Sequence, residues 1–159
     1  MQELHGDLWR LAARDGADAV VITTNGFRKS STGECVMGRG CALEAKQRWP
    51  NLPGRLGEYL GLYGNRCFRF HGLPGLNADL VAFPVKPEFA PDGKPGFSAK
   101  AELPLIRASA VQLVEMAAKF SWTKVYCPKF GCGYGQLSWE KVKAELAELL
   151  DDRFTIISP

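Results

Sequence analysis

Short apolar runs alternate with longer amphipathic segments along most of the chain. Residues 18–23 form a mostly apolar run that ends at Asn25-Gly26, which predicts a buried strand followed by a turn. Residues 101–120 place apolar side chains at helical spacing and predict a helix. The same criteria predict further helices at 41–49, 52–62 and 138–150, and further strands at 67–70, 80–83, 124–127 and 154–157. This alternation indicates an α/β layer fold with a mainly parallel sheet.

Composition places the chain among ordinary globular proteins. Its 159 residues suit one domain that spans 1–159, and 46% hydrophobic with 23% charged residues is typical of such domains. No apolar stretch approaches the roughly 20 residues of a membrane span, and the first residues do not resemble a secretory signal. We therefore expect a soluble, cytoplasmic protein without a membrane partner.

The cysteine number and the net charge limit the kinds of site and ligand that the chain can have. The five cysteines, at 35, 41, 67, 127 and 132, are odd in number and lack paired CxxC spacing, which argues against a disulfide framework and a zinc ribbon. The isolated His5 and His71 do not suggest a metal site. A formal charge of +3 permits an anionic ligand without indicating a surface that coats nucleic acid. We expect reduced thiols and no bound metal.

Two glycine-bearing loops lie where a predicted strand end meets a predicted helix start. Glycine lets backbone N–H groups approach an anion closely, and the positive end of the following helix adds about 0.3–1 kcal/mol of attraction. Together the loops are suited to bind a diphosphate from two sides. They consist of Met37, Gly38, Arg39, Gly40 and Cys41, and of Gly131, Cys132, Gly133, Tyr134, Gly135, Gln136 and Leu137.

Simpler interpretations exist for each loop. Either one alone is also explained as a tight turn that needs positive φ. The patterns GxxxxGK[ST] and, after the first strand, GxGxxG are absent, which disfavours P-loop and Rossmann nucleotide sites. Cys41 and Cys132 have no histidine partner in the sequence pattern, so they are interpreted as packing residues. Residues 86–97 carry three prolines and predict a long ordered loop, a kind of loop that is often functional.

An ordered series of short motifs covers nearly the whole chain. The motifs are Gly6-Asp7-Leu8, 21–25, Met37-Gly38-Arg39-Gly40, Phe83-Pro84-Val85-Lys86, 128–133 and 137–140. In this order they resemble the macrodomain family, in the branch that includes the human terminal ADP-ribose protein glycohydrolase and the bacterial DarG antitoxin. The resemblance implies a three-layer α/β/α fold with a mixed, mainly parallel central sheet, and a cleft that binds ADP-ribose.

The resemblance also implies roles for individual residues. Asp7 would accept a hydrogen bond from the adenine amino group, and Leu8 would also contact the ligand. The alternative role for Asp7 is to cap a helix or a turn. Asn25 would orient the distal ribose, or else belong only to an Asn-Gly turn. Lys86 would be catalytic near the distal ribose, as a nucleophile of lowered pKa or as a cation that stabilises a leaving oxyanion. The alternative for Lys86 is a solvated loop lysine.

Position 135 departs from part of that branch. In the human glycohydrolase the matching residue is an aspartate that helps to complete the reaction, whereas Gly135 stands here. The resemblance therefore does not extend to a lysine–aspartate pair. DarG-type domains, as the resemblance implies, have glycine there, keep the lysine and release ADP-ribose from thymidine bases in DNA.

These inferences predict an enzyme that hydrolyses ADP-ribosyl linkages on a macromolecule. Single-stranded DNA is the favoured substrate, and the acidic side chains of proteins come next. The alternatives are a reader that binds ADP-ribose without cleaving it, a phosphatase acting on ADP-ribose phosphate, and a domain that sequesters an ADP-ribose-derived signal. We expect a monomer that needs no cofactor.

Overall fold

A six-stranded sheet forms the centre of the protein, with helices on both faces. The computed structural model describes all residues from Met1 to Pro159. The strands are β1 (Gln2–His5), β2 (Ala19–Asn25), β3 (Phe68–Phe70), β4 (Asp79–Lys86), β5 (Val125–Pro128) and β6 (Phe154–Ser158). The helices are α1 (Leu8–Asp15), α2 (Gly40–Arg48), α3 (Leu52–Tyr63), α4 (Leu103–Lys119) and α5 (Trp139–Leu146), with a 3-10 helix at Gly96–Ser98.

The sheet is mixed and mainly parallel, which confirms the fold class predicted from the sequence. The strand order is β1-β6-β5-β2-β4-β3. All neighbouring strands run parallel except β3, which is antiparallel to β4 at the edge of the sheet. The helices on the two faces provide the crossovers that parallel strands require.

Each face of the sheet packs a separate hydrophobic core, so the structure has three layers. Along β2, Val20 and Ile22 belong to the core under α1, α2 and α3, whereas Ala19 and Val21 belong to the core under α4 and α5. All four side chains are fully buried. Because successive side chains of a strand point to opposite faces, burial on both faces requires an uninterrupted apolar run.

The sequence pattern does not predict β1 or α1. All residues of β1 are exposed, so this edge strand lacks an apolar run. Helix α1 is only eight residues long, but Asp7 caps its start and Gly16, in the left-handed conformation at φ 64°, ends it. Helix α5 ends at Leu146, before its predicted end, and Ser138 precedes it without making a side-chain capping bond. No helix combines the length and apolar character that a membrane crossing requires.

A register shift between β2 and β4 shapes the end of the sheet. Thr24 pairs with Pro84, but Asn25 pairs with Lys86, so Val85 is an extra residue in β4. Proline has no N–H to donate to a strand ladder, and an extra residue redirects the side chains that follow it. The shift therefore places the last residue of β2 beside the last residue of β4.

Replacing Gly57 with alanine should destabilise the protein, because a Cβ at this position of α3 would collide with the carbonyl oxygen of Gly33. We expect the free energy of unfolding, measured by chemical denaturation, to fall by about 1–3 kcal/mol. Gly54→Ala in the same helix is the matched control, because no atom lies within 4 Å of its Cβ position. Alanine favours helix over glycine by about 1 kcal/mol, so Gly54→Ala should stabilise. Equal effects at the two positions would contradict this packing.

Candidate functional site

A cleft of about 1000 Å³ opens at the carboxyl ends of the parallel strands. The last residues of β2, β4, β5 and β6 form its floor, and the loops that follow β2 and β5 form its sides. Ligands of parallel α/β sheets bind at this edge, where strands end and helices begin. The volume is at the upper end of the range, about 300–1,000 Å³, of pockets that enclose small molecules.

The structure brings all but two of the predicted site residues into this one cleft. Met37 is 2% exposed and belongs to the core under α2 and α3. Leu137 packs against the opposite core. In contrast to the sequence-based expectation, both side chains support the loops from beneath instead of facing the cleft. The residues that line it are Asp7, Leu8, Asn25, Gly38, Arg39, Gly40, Cys41, Lys86, Gly131, Cys132, Gly133, Tyr134, Gly135 and Gln136.

The first glycine-bearing loop carries a row of free backbone donors. The N–H groups of residues 38–42 donate to no acceptor within the protein. Arg39 is the N-cap residue of α2, and its side chain makes no capping bond. Gly40 has φ +59°, in the left-handed region that favours glycine. The start of α2 therefore offers N–H groups and the positive end of a helix dipole to an anion.

The second glycine-bearing loop has the same property. It is closed by two backbone hydrogen bonds, from Leu137 N to Gly131 O at 2.9 Å and from Gln136 N to Gly133 O at 3.0 Å. Between them, the N–H groups of residues 133–135 donate to no protein acceptor. Successive free N–H groups in a tight loop form a concavity that binds anions.

Gly135 cannot be replaced by a residue with a side chain unless the backbone moves. A Cβ at this position would collide with the carbonyl oxygen and the Cα of Gly131. The close contact follows from the tight closure of the second loop. It gives a physical reason why a lysine–aspartate pair with its carboxylate at position 135 does not fit this backbone.

Arg39 and Tyr134 connect the two loops across the cleft. The Arg39 Cζ atom lies 4.9 Å from the centroid of the Tyr134 ring, within the range of a cation–π interaction. Tyr134 is 60% exposed, so its ring lies at the surface of the cleft. A ligand between the loops would therefore meet this pair.

Asp7 is a helix cap and also lines the cleft. Its Oδ1 atom accepts a hydrogen bond of 2.9 Å from the backbone N–H of Arg10. The helix-cap interpretation is therefore correct. The Oδ2 atom accepts no hydrogen bond from the protein and remains available to a donor in the cleft. Contact with adenine stays a prediction.

Asn25 is held in place by two hydrogen bonds. Its Nδ2 atom donates to Val36 O at 2.8 Å, and its Oδ1 atom accepts from Phe27 N at 2.9 Å. The side chain thus joins both ends of the loop between β2 and α2. An amide has a second N–H and a second lone pair, so Asn25 retains one donor and one acceptor for a ligand.

Lys86 ends β4 with its amine directed into the cleft. Its Nζ atom donates to the carbonyl oxygen of Phe97 at 3.1 Å. Burial, followed by the positive charge of Arg39, lowers the pKa of Lys86 below the usual range of lysine. A lysine with a lowered pKa has a larger neutral fraction, which is the form that acts as a nucleophile or base.

Two residues that surround Lys86 are not indicated by the sequence. Phe97, in the 3-10 helix, lines the cleft and supplies the carbonyl group that Lys86 contacts. Asn65 lies behind the end of β4. Its Nδ2 atom donates a hydrogen bond to Lys86 O at 3.0 Å, and its side chain also packs against Gly26. Both residues are distant from Lys86 in sequence, so no local pattern indicates their proximity.

The cysteines in the cleft are poor nucleophiles. Burial raises the pKa of the Cys41 thiol, whose sulfur lies 3.4 Å from Thr23 N. Burial also raises the pKa of Cys132 to about 11. Neither thiol therefore forms an appreciable thiolate near neutral pH.

The chain is similar to known proteins in structure and not in sequence. No sequence-family model matches the chain, and no curated protein matches it significantly in sequence. The macrodomain of Mycobacterium tuberculosis DarG is similar, with 24% identity, 99% of this chain and 97% of that chain covered, and a TM-score of 0.74. The macrodomain of Thermus aquaticus DarG has 20% identity, 99% and 97% coverage, and a TM-score of 0.74.

A third similar structure is Thermosipho africanus DarTG in complex with ADP-ribose, with 18% identity and a TM-score of 0.75. The match covers 100% of this chain and 42% of that chain. Similarity at these identities establishes the fold. The strand order, the three layers and the similarity over the full chain show that this protein has the macrodomain fold.

Proposed function

We propose that the cleft binds ADP-ribose. The observation that carries this proposal is the presence of two rows of free N–H groups, at residues 38–42 and 133–135, in neighbouring loops of one cleft. A diphosphate has acceptor oxygens on both phosphorus atoms, and glycine-rich backbone approaches such oxygens closely. The similar Thermosipho africanus structure is a complex with ADP-ribose, which supports the same ligand here.

The two ends of the cleft suit the two ends of this ligand. The free carboxylate oxygen of Asp7 accepts a hydrogen bond from the adenine amino group, and Leu8 packs beside the ring. Asn25 uses its remaining donor and acceptor on the hydroxyl groups of the distal ribose. Lys86 lies next to Asn25 through the strand pairing, so its amine lies at the distal ribose as well.

We further propose that the protein hydrolyses the bond between the distal ribose and an attached group. In this reaction the anomeric carbon gains an oxygen from water and loses its bond to the acceptor atom, which leaves with a proton. Lys86 has two possible roles in this step. A neutral amine bonds to the anomeric carbon as the acceptor atom leaves, and water then displaces the amine, whereas a protonated amine forms no bond to carbon and stabilises the departing group. Binding substrate and transition state equally would not accelerate the reaction, so Lys86 must interact more strongly with the transition state.

The favoured substrate is ADP-ribosylated single-stranded DNA, followed by protein carboxylates that carry ADP-ribose. Gly135 supports the first choice, because the resemblance to DarG-type domains implies glycine at this position. The cleft is complete within one chain, so a monomer suffices.

A valine at position 133 should weaken ADP-ribose binding without unfolding the protein. Gly133 lines the cleft and has no atom within 4 Å of its Cβ position, so the new side chain occupies the space proposed for the diphosphate. We expect at least a tenfold higher Kd by calorimetry and an unchanged Tm. Gly54→Val, in α3 and outside the cleft, is the control and should bind normally. Unchanged binding by Gly133→Val would refute the proposed diphosphate position.

Lys86→Ala should abolish cleavage while retaining ADP-ribose binding. We expect the rate on thymidine-modified single-stranded DNA to fall by about 10²–10⁴-fold, in keeping with the loss of a group that acts on the reacting atoms. Lys141→Ala removes an exposed lysine of α5, outside the cleft, and should leave the rate unchanged. Glutamate-modified protein, tested in parallel, identifies the preferred acceptor. A wild-type protein that binds ADP-ribose but cleaves neither substrate would be a reader.

The pH dependence of cleavage should report the state of Lys86. Because burial and Arg39 favour the neutral amine, we expect the rate at saturating substrate to rise with pH through the lowered pKa of Lys86. Arg39→Gln removes a neighbouring positive charge, makes protonation of Lys86 easier and should move this limb to higher pH. A rate that instead falls as Lys86 loses its proton would assign the charged form to catalysis.

A further inference from the structure

Three phenylalanines form an exposed aromatic surface at the mouth of the cleft. The Phe27 ring contacts Phe89 and Phe97 edge to face, with centroid distances of 5.8 and 5.2 Å. Phe89 is 54% exposed and Phe97 is 40% exposed. Burial of a large aromatic side chain is favourable, so two exposed rings grouped beside a polar cleft indicate a binding surface.

Backbone contacts hold this aromatic surface in place. Phe89 forms a β-bridge with Pro95, and Gly96 N donates to Glu88 O at 2.8 Å. Gly96 also packs against the carbonyl oxygen of Pro87 so closely that no side chain would fit. The loop that follows β4 is therefore an ordered hairpin, and its rings are preorganised for a ligand.

The aromatic surface is continuous with the part of the cleft that contains Lys86. Phe97 lines the cleft, and its carbonyl oxygen accepts the hydrogen bond from Lys86 Nζ. Phe27 follows Asn25 by two residues and donates its N–H to the Asn25 side chain. A group attached to the distal ribose would therefore leave the cleft beside these rings.

Charge alone does not identify what this surface binds. The hairpin beyond Lys86 carries two carboxylates, Glu88 and Asp92, and two further lysines, Lys94 and Lys100, whose charges balance. Two exposed cations, Arg28 and Lys29, follow Phe27, so the net charge beside the rings is positive and suits an anionic chain of either kind, a nucleic acid or an acidic peptide. The rings themselves supply the interaction, and their natural partner is a flat aromatic group that stacks.

We propose that Phe89 and Phe97, supported by Phe27, form a stacking subsite for a nucleobase next to the ADP-ribosyl linkage of a single-stranded nucleic acid. This inference rests on the proposed function, because it assigns the acceptor side of the same cleft. A carboxylate side chain has no ring to stack, so the subsite distinguishes nucleic acid from protein acceptors.

The test measures binding to Lys86→Ala protein, which keeps the substrate intact. Three ligands are compared: free ADP-ribose, a short single-stranded DNA with ADP-ribose on thymidine, and a glutamate-modified peptide. Adding Phe89→Ala should weaken binding of the modified DNA about tenfold, within the range measured for loss of base stacking. Binding of free ADP-ribose and of the modified peptide should not change, because Phe89 lies outside the cleft.

Two further variants separate stacking from packing. Phe89→Trp should retain binding of the modified DNA, whereas Phe89→Leu, which is apolar but has no ring, should lose it as alanine does. The loss should be the same at low and high salt, because stacking releases no counterions. Full binding by Phe89→Leu would overturn the proposal, as would an equal loss with the modified peptide. Failure of the parent protein to bind free ADP-ribose would refute the proposed function and this subsite together.

Discussion

The pairing of β2 with β4 is the interaction on which the rest of this structure depends. Both are interior strands of the sheet, with a neighbour on each side, and both contribute to the two hydrophobic cores. The register shift at their ends brings Asn25 and Lys86 side by side. A shift of one more residue would turn the amine of Lys86 to the other face of the sheet, since side chains alternate along a strand. The stability of the sheet and the geometry of the cleft therefore share one cause.

Beyond these strand ends, backbone groups form most of the cleft. The loops at 38–42 and 133–135 leave N–H groups without protein partners, an arrangement that is tolerated where water or an anion satisfies them. Close approach is possible because several positions lack side chains. Gly135 illustrates the constraint, since its contact with Gly131 excludes any larger residue. The backbone contact that closes the loop therefore also leaves no space for a carboxylate side chain at position 135.

Lys86 connects the polar part of the cleft with the aromatic surface. Its amine contacts the backbone of Phe97, and its pKa is lowered by burial and by Arg39. Asn65 holds its backbone from behind. The proposed reactive group, the Lys86 amine, and the proposed stacking surface are thus adjacent. The same hairpin after β4 positions both.

The sequence by itself determined the layered α/β fold and the two glycine-bearing loops. Buried strands need continuous apolar runs such as that of β2, and the effect of glycine on the backbone is local. Both the strands and the loops can therefore be predicted from the sequence. The tertiary structure alone decided that Met37 faces a core, that Asn65 supports Lys86, and that Phe89 joins an aromatic surface. These outcomes depend on strand register and on contacts between segments far apart in the chain, and local residue patterns predict neither.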